Sequence, residues 1–425
     1  MLLIFIVEFL IKVEATNNRR WLIAIMGTLT HLGLGTVYAW SFFQKPIAET
    51  YGWSNSETAW TFSLAILMLG ITAAWCGSKI ERFGARKLAV TGVILYALGY
   101  IISSFALALE SLFLLYFGFG IVGGIGLGLA YVTPVAVVLK YFPDKPGLVT
   151  GMVVMGFGLG ALVMSKLLAP IFLELFNHHL PRVFLFIGIT LLAVLPLFAQ
   201  FLKAEKITSS QAKSLEKLSI LPYIMKTDYL IIWLVFTFNI IAGMIFISFQ
   251  SPLLQDLLKL EGITDINSLE AKGATLIGLS ALFNGIGRFF WGSVSDKMGR
   301  ITTFKLILLI EILVFIVLIN TQDVTVFSAG VCLVLLCYGG GFGVIPSLIK
   351  EKYGATHVAS IYGITLIGWG VGGIFGPQIT AYMIDNFPLN SGMYSYLVGL
   401  GLLSVGLFLL FFVKTKIHPS GQPVR

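Results

Sequence analysis

Charged side chains make up only 11% of this 425-residue chain, against about 25% in an ordinary globular domain. That shortage excludes a water-soluble fold. A chain that is 57% apolar, with mean hydropathy +0.93, must use lipid as part of its solvent. Cysteine is also scarce: Cys76, Cys332 and Cys337 all fall inside apolar runs, where a thiol behaves as a small buried apolar group, so neither a disulfide nor a metal site is expected. Period-two alternation is missing, which excludes a barrel of ~10-residue strands. Equally absent are a nucleophile constellation, a metal-ligand cluster and a phosphate loop, so no cofactor and no enzymatic activity is implied. The opening "MLLIFIVEFL" is too short to span a bilayer, contains Glu8 and lacks a basic flank or cleavage site. Residues 1–18 are therefore expected to be an interfacial or disordered stub, or a misassigned start, and not a signal peptide.

What the chain does have is long apolar runs. Twelve can be marked, at 21–43, 58–78, 88–108, 112–139, 148–170, 183–202, 229–251, 273–294, 302–321, 325–348, 357–383 and 393–413. Each suffices to cross a ~30 Å hydrocarbon core as a helix, so an all-α integral membrane fold is expected. With both termini cytoplasmic, 22 of the 28 Lys and Arg fall on the inner side, five on the outer side (Lys45, Lys166, Arg182, Lys259 and Lys272), and Arg288 alone in the membrane. This is a strong positive-inside bias. The net charge of +8 thus reports topology, not a nucleic-acid partner.

The chain also repeats itself. "GSKIERFGARK" (Gly77 to Lys87) and "GSVSDKMGR" (Gly292 to Arg300) are offset by 215 residues, whereas "GMVVMGFGLG" (Gly151 to Gly160) and "GITLIGWGVG" (Gly363 to Gly372) share four glycine positions at an offset of 212. Pro134 and Pro346, Lys140 and Lys352, and Tyr141 and Tyr353 keep the second offset, and "FFQKP" (Phe42 to Pro46) echoes "SFQSP" (Ser248 to Pro252). Two six-helix halves are expected, 1–202 and 228–425, joined by a polar linker over 203–227; such repeats around a midplane site mark secondary transporters. In the paired loops, Gly84 and Gly299 answer a tight turn, while Glu81 and Asp296 are placed to cap helix ends and pair with Arg82, Lys297 or Arg300. Together with Gly77 and Gly292 these residues are read as a gating latch between helices, against the alternative of a solvated turn. Gly158 and Gly370 fall mid-membrane, where small residues let helices approach and slide.

Arg288 is the only charge between Lys272 and Asp296. Eight residues from the inner boundary at Asp296, it lies ~12 Å inside the ~30 Å slab, where it costs at least ~2.5 to 3.5 kcal/mol. Its planar, permanently charged fork suits a carboxylate. Two other readings compete: snorkelling, for which ~12 Å exceeds one side chain's reach, and a structural pair with Glu311, ten residues into the ninth span. His31 and Glu311 are candidates for proton coupling, each against a plain core role. Lys166 is expected to snorkel.

The paired loops, "VYAWSFF" (Val37 to Phe43), "FPDKPG" (Phe142 to Gly147) and "LFNGIGRFFWGSVSDK" (Leu282 to Lys297) resemble the oxalate/formate antiporter family of the major facilitator superfamily. The likeness extends over nearly all of residues 19–413. It implies a major facilitator fold, with Arg288 binding the substrate carboxylate, Asn284 one turn before it, and Tyr38, Tyr131 and Tyr338 near the substrate. The oxalate exchanger of that family has a lysine in the stretch where this chain has Trp369. The expected function is therefore transport of a small monocarboxylate such as pyruvate or lactate across the cytoplasmic membrane, by alternating access, with protons or a counter-anion, and by a monomer. Oxalate/formate-type exchange is the alternative, and a non-transporting sensor a lesser one.

Overall fold

The computed structural model describes residues 19–142, 146–203, 221–353 and 358–413; the stub over 1–18 and most of the expected linker lie outside them. Among the described residues all regular structure is helical. Twelve long helices follow one another: α1 (Arg19–Tyr51), α2 (Asn55–Phe83), α3 (Ala85–Ala108), α4 (Leu112–Val138), α5 (Val149–Leu175), α6 (Leu180–Ala199), α7 (Thr227–Leu260), α8 (Ile266–Met298), α9 (Arg300–Ile319), α10 (Val324–Tyr353), α11 (Val358–Thr365 continued by Ile367–Asn386) and α12 (Ser391–Leu409). Ten of the helices are long and apolar enough to cross a membrane by length and composition alone. The two outside that set are α8 and α11, the helices that carry Arg288 and Trp369.

Several helices overrun the expected spans. α7 has 34 residues and α8 has 33, both well beyond the ~20 needed to cross hydrocarbon. Their added turns carry Asp256, Lys259 and Glu270, polar residues that a hydropathy window discards but a helix cap retains. The Asp265 carboxylate accepts the Ser268 N–H at 2.8 Å, which starts α8 well before its apolar run. At the same end, the Ser54 and Glu57 side chains close a capping box at the start of α2.

The turns after α2 and α8 are alike. Gly84 and Gly299 each stand at φ 84°, left-handed backbone that a residue with a Cβ adopts only under strain. The rest of the expected latch is helical, which corrects its reading as a loop: Gly77, Glu81 and Arg82 lie within α2, while Gly292, Asp296 and Lys297 lie within the last turns of α8. The turn at Gly299 brings Arg300, at the start of α9, back onto Asp296 of α8, and the two pair at 2.5 Å. Arg300 also hydrogen-bonds the Ser295 hydroxyl and reaches Glu351 of α10 at 3.5 Å, so this copy ties three helices together. In the first copy Arg82 stacks over Phe83 at 5.5 Å, and the Glu81 side chain lies outside the described residues. The end of the bundle holding these turns is called the basic face below.

Glycines set the closest helix contacts. A Cβ on Gly158 of α5 would stand 2.7 Å from the Gly285 Cα of α8, and one on Gly70 of α2 would stand 2.7 Å from the Leu366 carbonyl of α11. Backbone therefore meets backbone where α1–α6 face α7–α12. Gly287 and Gly343 bring α8 and α10 closer still, each against the other helix's backbone.

Candidate functional site

Arg288 sits about two-thirds of the way along α8 with only 1% of its surface exposed. Its neighbours come from five helices. The Phe342 ring lies 4.7 Å from the guanidinium carbon and the Phe157 ring 5.7 Å, both within cation–π range. Asn284, one turn earlier on α8, accepts a long hydrogen bond from Nε at 3.4 Å. Trp369 packs against Phe342 at 4.8 Å, Tyr131 at 5.0 Å and Phe157 at 5.6 Å. Tyr38 and Tyr338 join hydroxyl to hydroxyl at 2.5 Å across 300 residues of sequence. These aromatic side chains are all nearly or fully buried, so the cluster is closed to both faces.

Within this shell several donors have no acceptor. Among the described residues, Nη1 and Nη2 of Arg288, the Tyr131 hydroxyl and the Trp369 indole N–H complete no hydrogen bond of normal geometry, although Tyr131 lies beside Arg288 and Tyr362, and Trp369 beside Tyr338. Buried donors are normally satisfied, and leaving them bare is costly. A guanidinium fork, a phenol and an indole gathered together present a surface for a ligand that only accepts, as a carboxylate does. The sequence reading already named Arg288, Asn284, Tyr38, Tyr131, Tyr338 and Trp369, and the structure brings all six together. It did not name Phe342, although its spacing of four from Tyr338 puts both on one face of α10.

The two coupling candidates differ in their relation to this cluster. His31 on α1 is buried, with Nε2 2.8 Å from the Tyr131 carbonyl and its ring stacked 4.8 Å from the Tyr131 ring, so it abuts the site. Glu311 on α9 is also buried, but its partner is not Arg288. Instead Asn239 of α7 donates to Glu311 Oε1 at 2.9 Å, which removes the expected alternative of an Arg288–Glu311 pair. Asn239 was missed, though it is the one amide in the apolar run "FTFNIIAG".

The end opposite the basic face is fastened across the bundle. Asp385 of α11 accepts from the Asn55 N–H (3.0 Å) and Nδ2 (3.1 Å) and from the Ser56 N–H (2.8 Å) and Oγ (2.7 Å), so it caps the start of α2. Lys45 of α1 meets Asp256 of α7 at 3.6 Å. Lys166 of α5, expected to snorkel, is exposed and donates to the Thr275 hydroxyl of α8 at 2.6 Å. Beside Lys45 lies a cavity of about 320 Å³ with Glu49, Gln255, Lys259 and Glu270 in its wall, separate from the Arg288 cluster.

The Major Facilitator Superfamily family model matches residues 23–377 and 268–424. The chain belongs to the major facilitator superfamily. Over 367 residues it is 26% identical to an uncharacterized MFS-type transporter, YhjX, of Escherichia coli K12, covering 84% of this chain and 87% of the relative. It is 23% identical to the oxalate:formate antiporter of Oxalobacter formigenes over 96% of this chain and 94% of that one. With the apicoplast pyruvate carrier 1 of Toxoplasma gondii the identity is 24%, over 86% and 82%. Among solved structures, a bacterial homolog of the human lysosomal transporter Spinster, inward-facing and unoccupied, superposes with a TM-score of 0.71 at 16% identity, covering 94% of this chain and 98% of the other. That last likeness speaks to the fold alone. This is a multi-pass membrane protein built as a secondary transporter.

Proposed function

We propose that this superfamily member carries a small monocarboxylate, of the pyruvate or lactate type, by alternating access around Arg288. The observation behind the reading is the set of unpartnered donors about one buried cation: Arg288 Nη1 and Nη2, Tyr131 OH and Trp369 Nε1. A carboxylate accepts from the guanidinium fork in bidentate fashion, while Asn284 and the tyrosines read a keto or hydroxyl oxygen. Phe157, Phe342 and Trp369 then form an apolar wall for a methyl tail. The Tyr38–Tyr338 bond joins the two halves over the site and must part for substrate to enter or leave. In this reading the basic face is cytoplasmic, and the protein acts in the cytoplasmic membrane as a monomer.

The matches to an oxalate:formate antiporter and a pyruvate carrier support small organic anions as the class. Oxalate exchange is the second reading, favoured by the near full-length likeness to the antiporter. One cation inside an aromatic wall favours the monoanion. Counterflow of labelled pyruvate, lactate, formate and oxalate in proteoliposomes separates the two. We expect pyruvate or lactate to exchange fastest, and Arg288→Gln to insert and fold but lose transport. Removing one partner of a buried charge pair costs ~2 to 5 kcal/mol, at least about 30-fold. Arg288→Lys should rescue poorly, because an ammonium lacks the fork. Uptake by Arg288→Gln within a few-fold of the unmodified protein would refute the assignment.

A further inference from the structure

Resting on the monocarboxylate reading of the Arg288 site, we propose that Glu311 is the proton-binding site that couples the carrier to a pH gradient. It holds a proton on Oε2 in the closed state and releases it to water when the bundle opens. Glu311 is fully buried midway along α9. One neutral donor, Asn239 Nδ2, serves Oε1; among the described residues Glu311 Oε2 and Asn239 Oδ1 have no hydrogen-bond partner.

Chemistry decides what such a group must be. An ionised carboxylate only accepts, and burying one with a single amide donor and no cation is strongly unfavourable. A proton on Oε2 removes the charge and turns one acceptor into a donor. Among the described residues, the groups around it supply no countercharge. α10 presents the Cys337 thiol, α7 presents Asn239, and on α12 the nearest titratable side chain is Tyr396, which packs on Phe315 one turn further along α9. On α8, Arg288 is engaged with Asn284 and its two aromatic rings.

The acid is linked to the substrate cluster through one stretch of α10, "YGGGF" (Tyr338 to Phe342). Gly341 packs on the Asn239 side chain, Gly339 on the Asn284 backbone, and the Tyr338 ring on Gly243, one turn beyond Asn239 on α7. Ionising Glu311 would put a bare charge between α7, α9 and α10 and loosen this stretch, which carries Tyr338 and Phe342. Proton binding thus favours the packing in which Tyr338 meets Tyr38 and the site is shut. A proton and a monoanion cross together, with no net charge.

Labelled pyruvate in proteoliposomes tests this. One coupled proton allows a gradient of one pH unit to drive about tenfold accumulation. Glu311→Gln, a permanent neutral mimic, should keep pyruvate counterflow within about twofold but lose gradient-driven accumulation. Accumulation retained in that variant would overturn the proposal. Should Glu311→Gln not fold, Glu311→Asp decides: a shifted pH midpoint of net uptake, with counterflow retained, supports the assignment, and an unchanged midpoint overturns it. Counterflow in the unmodified carrier tests the Arg288 reading separately, and its absence would remove the premise and the proposal with it.

Discussion

At the scale of single residues, the proposed carrier divides recognition between Arg288 and Trp369. The cation is held by quadrupoles and one amide, not by an acid. The Phe342 ring at 4.7 Å and Asn284 at 3.4 Å steady it without neutralising it, so its charge stays available to a ligand. Trp369 occupies the place where a second cation would be needed for a dianion, and its pseudo-symmetric counterpart Phe157, 5.6 Å away, is apolar as well. The second carboxylate of oxalate would lose its water there and gain no countercharge, a penalty of at least several kcal/mol. We therefore expect Trp369→Lys to gain oxalate exchange that the unmodified protein lacks, measured by oxalate counterflow in proteoliposomes. Fast oxalate exchange before mutation would contradict this. The sequence exposed Arg288 because a lone charge in an apolar run is a local anomaly. Phe342 passed unnoticed because one more phenylalanine among 34 is no anomaly at all.

At the scale of helices, the least apolar spans are the ones that carry the proposed site. α8 and α11 fall outside the ten helices that qualify on composition, and they face α5 and α2 through glycines with no side chain between the backbones. α11 breaks at Leu366, three residues before Trp369, where Gly70 of α2 presses on the Leu366 carbonyl. Such smooth contacts let one half roll on the other, provided the clasp at the end opposite the basic face lets go. Asp385 is that clasp's most heavily bonded member, with four hydrogen bonds of 2.7 to 3.1 Å to Asn55 and Ser56. Hydrogen bonds to a charged group are worth ~1.5 to 3 kcal/mol each when buried, and exposure here reduces the net effect to on the order of 1 to 2 kcal/mol. Asp385→Ala should therefore shift the population several-fold toward the state open at that face. A cysteine placed at Ser251, in the wall of the nearby cavity, would report it: its alkylation by an impermeant maleimide should quicken about fivefold to thirtyfold. An unchanged rate would show that other contacts hold the face closed.

At the scale of the whole molecule, a carrier of the proposed kind would move an anion against the interior-negative potential of a cell. A lone monoanion entering against 100 mV loses ~2.3 kcal/mol, roughly 50-fold in accumulation. Proton symport or anion exchange removes that penalty. Initial rates of pyruvate uptake in liposomes clamped at different potentials should change little, whereas a steep voltage dependence would mean that net charge crosses with the substrate.

The sequence by itself determined that this chain lives in a membrane, how many times it crosses, where its repeats fall and which arginine is out of place. Those properties are local: each follows from apolar run length, from a motif met twice, or from one charge among neighbours that have none. Helix ends were less legible, because the polar turns of α7 and α8 are held by caps and ion pairs that no hydropathy window detects. Only the tertiary structure decided which donors around Arg288 lack an acceptor, that Glu311 pairs with Asn239, and that Asp385 fastens α11 to the start of α2. Each of these depends on distances between groups far apart in the chain, such as Tyr38 and Tyr338, 300 residues apart yet 2.5 Å from hydroxyl to hydroxyl. Composition and periodicity carry no such information, because a side chain's partners are set by how helices stack and not by what precedes it in sequence.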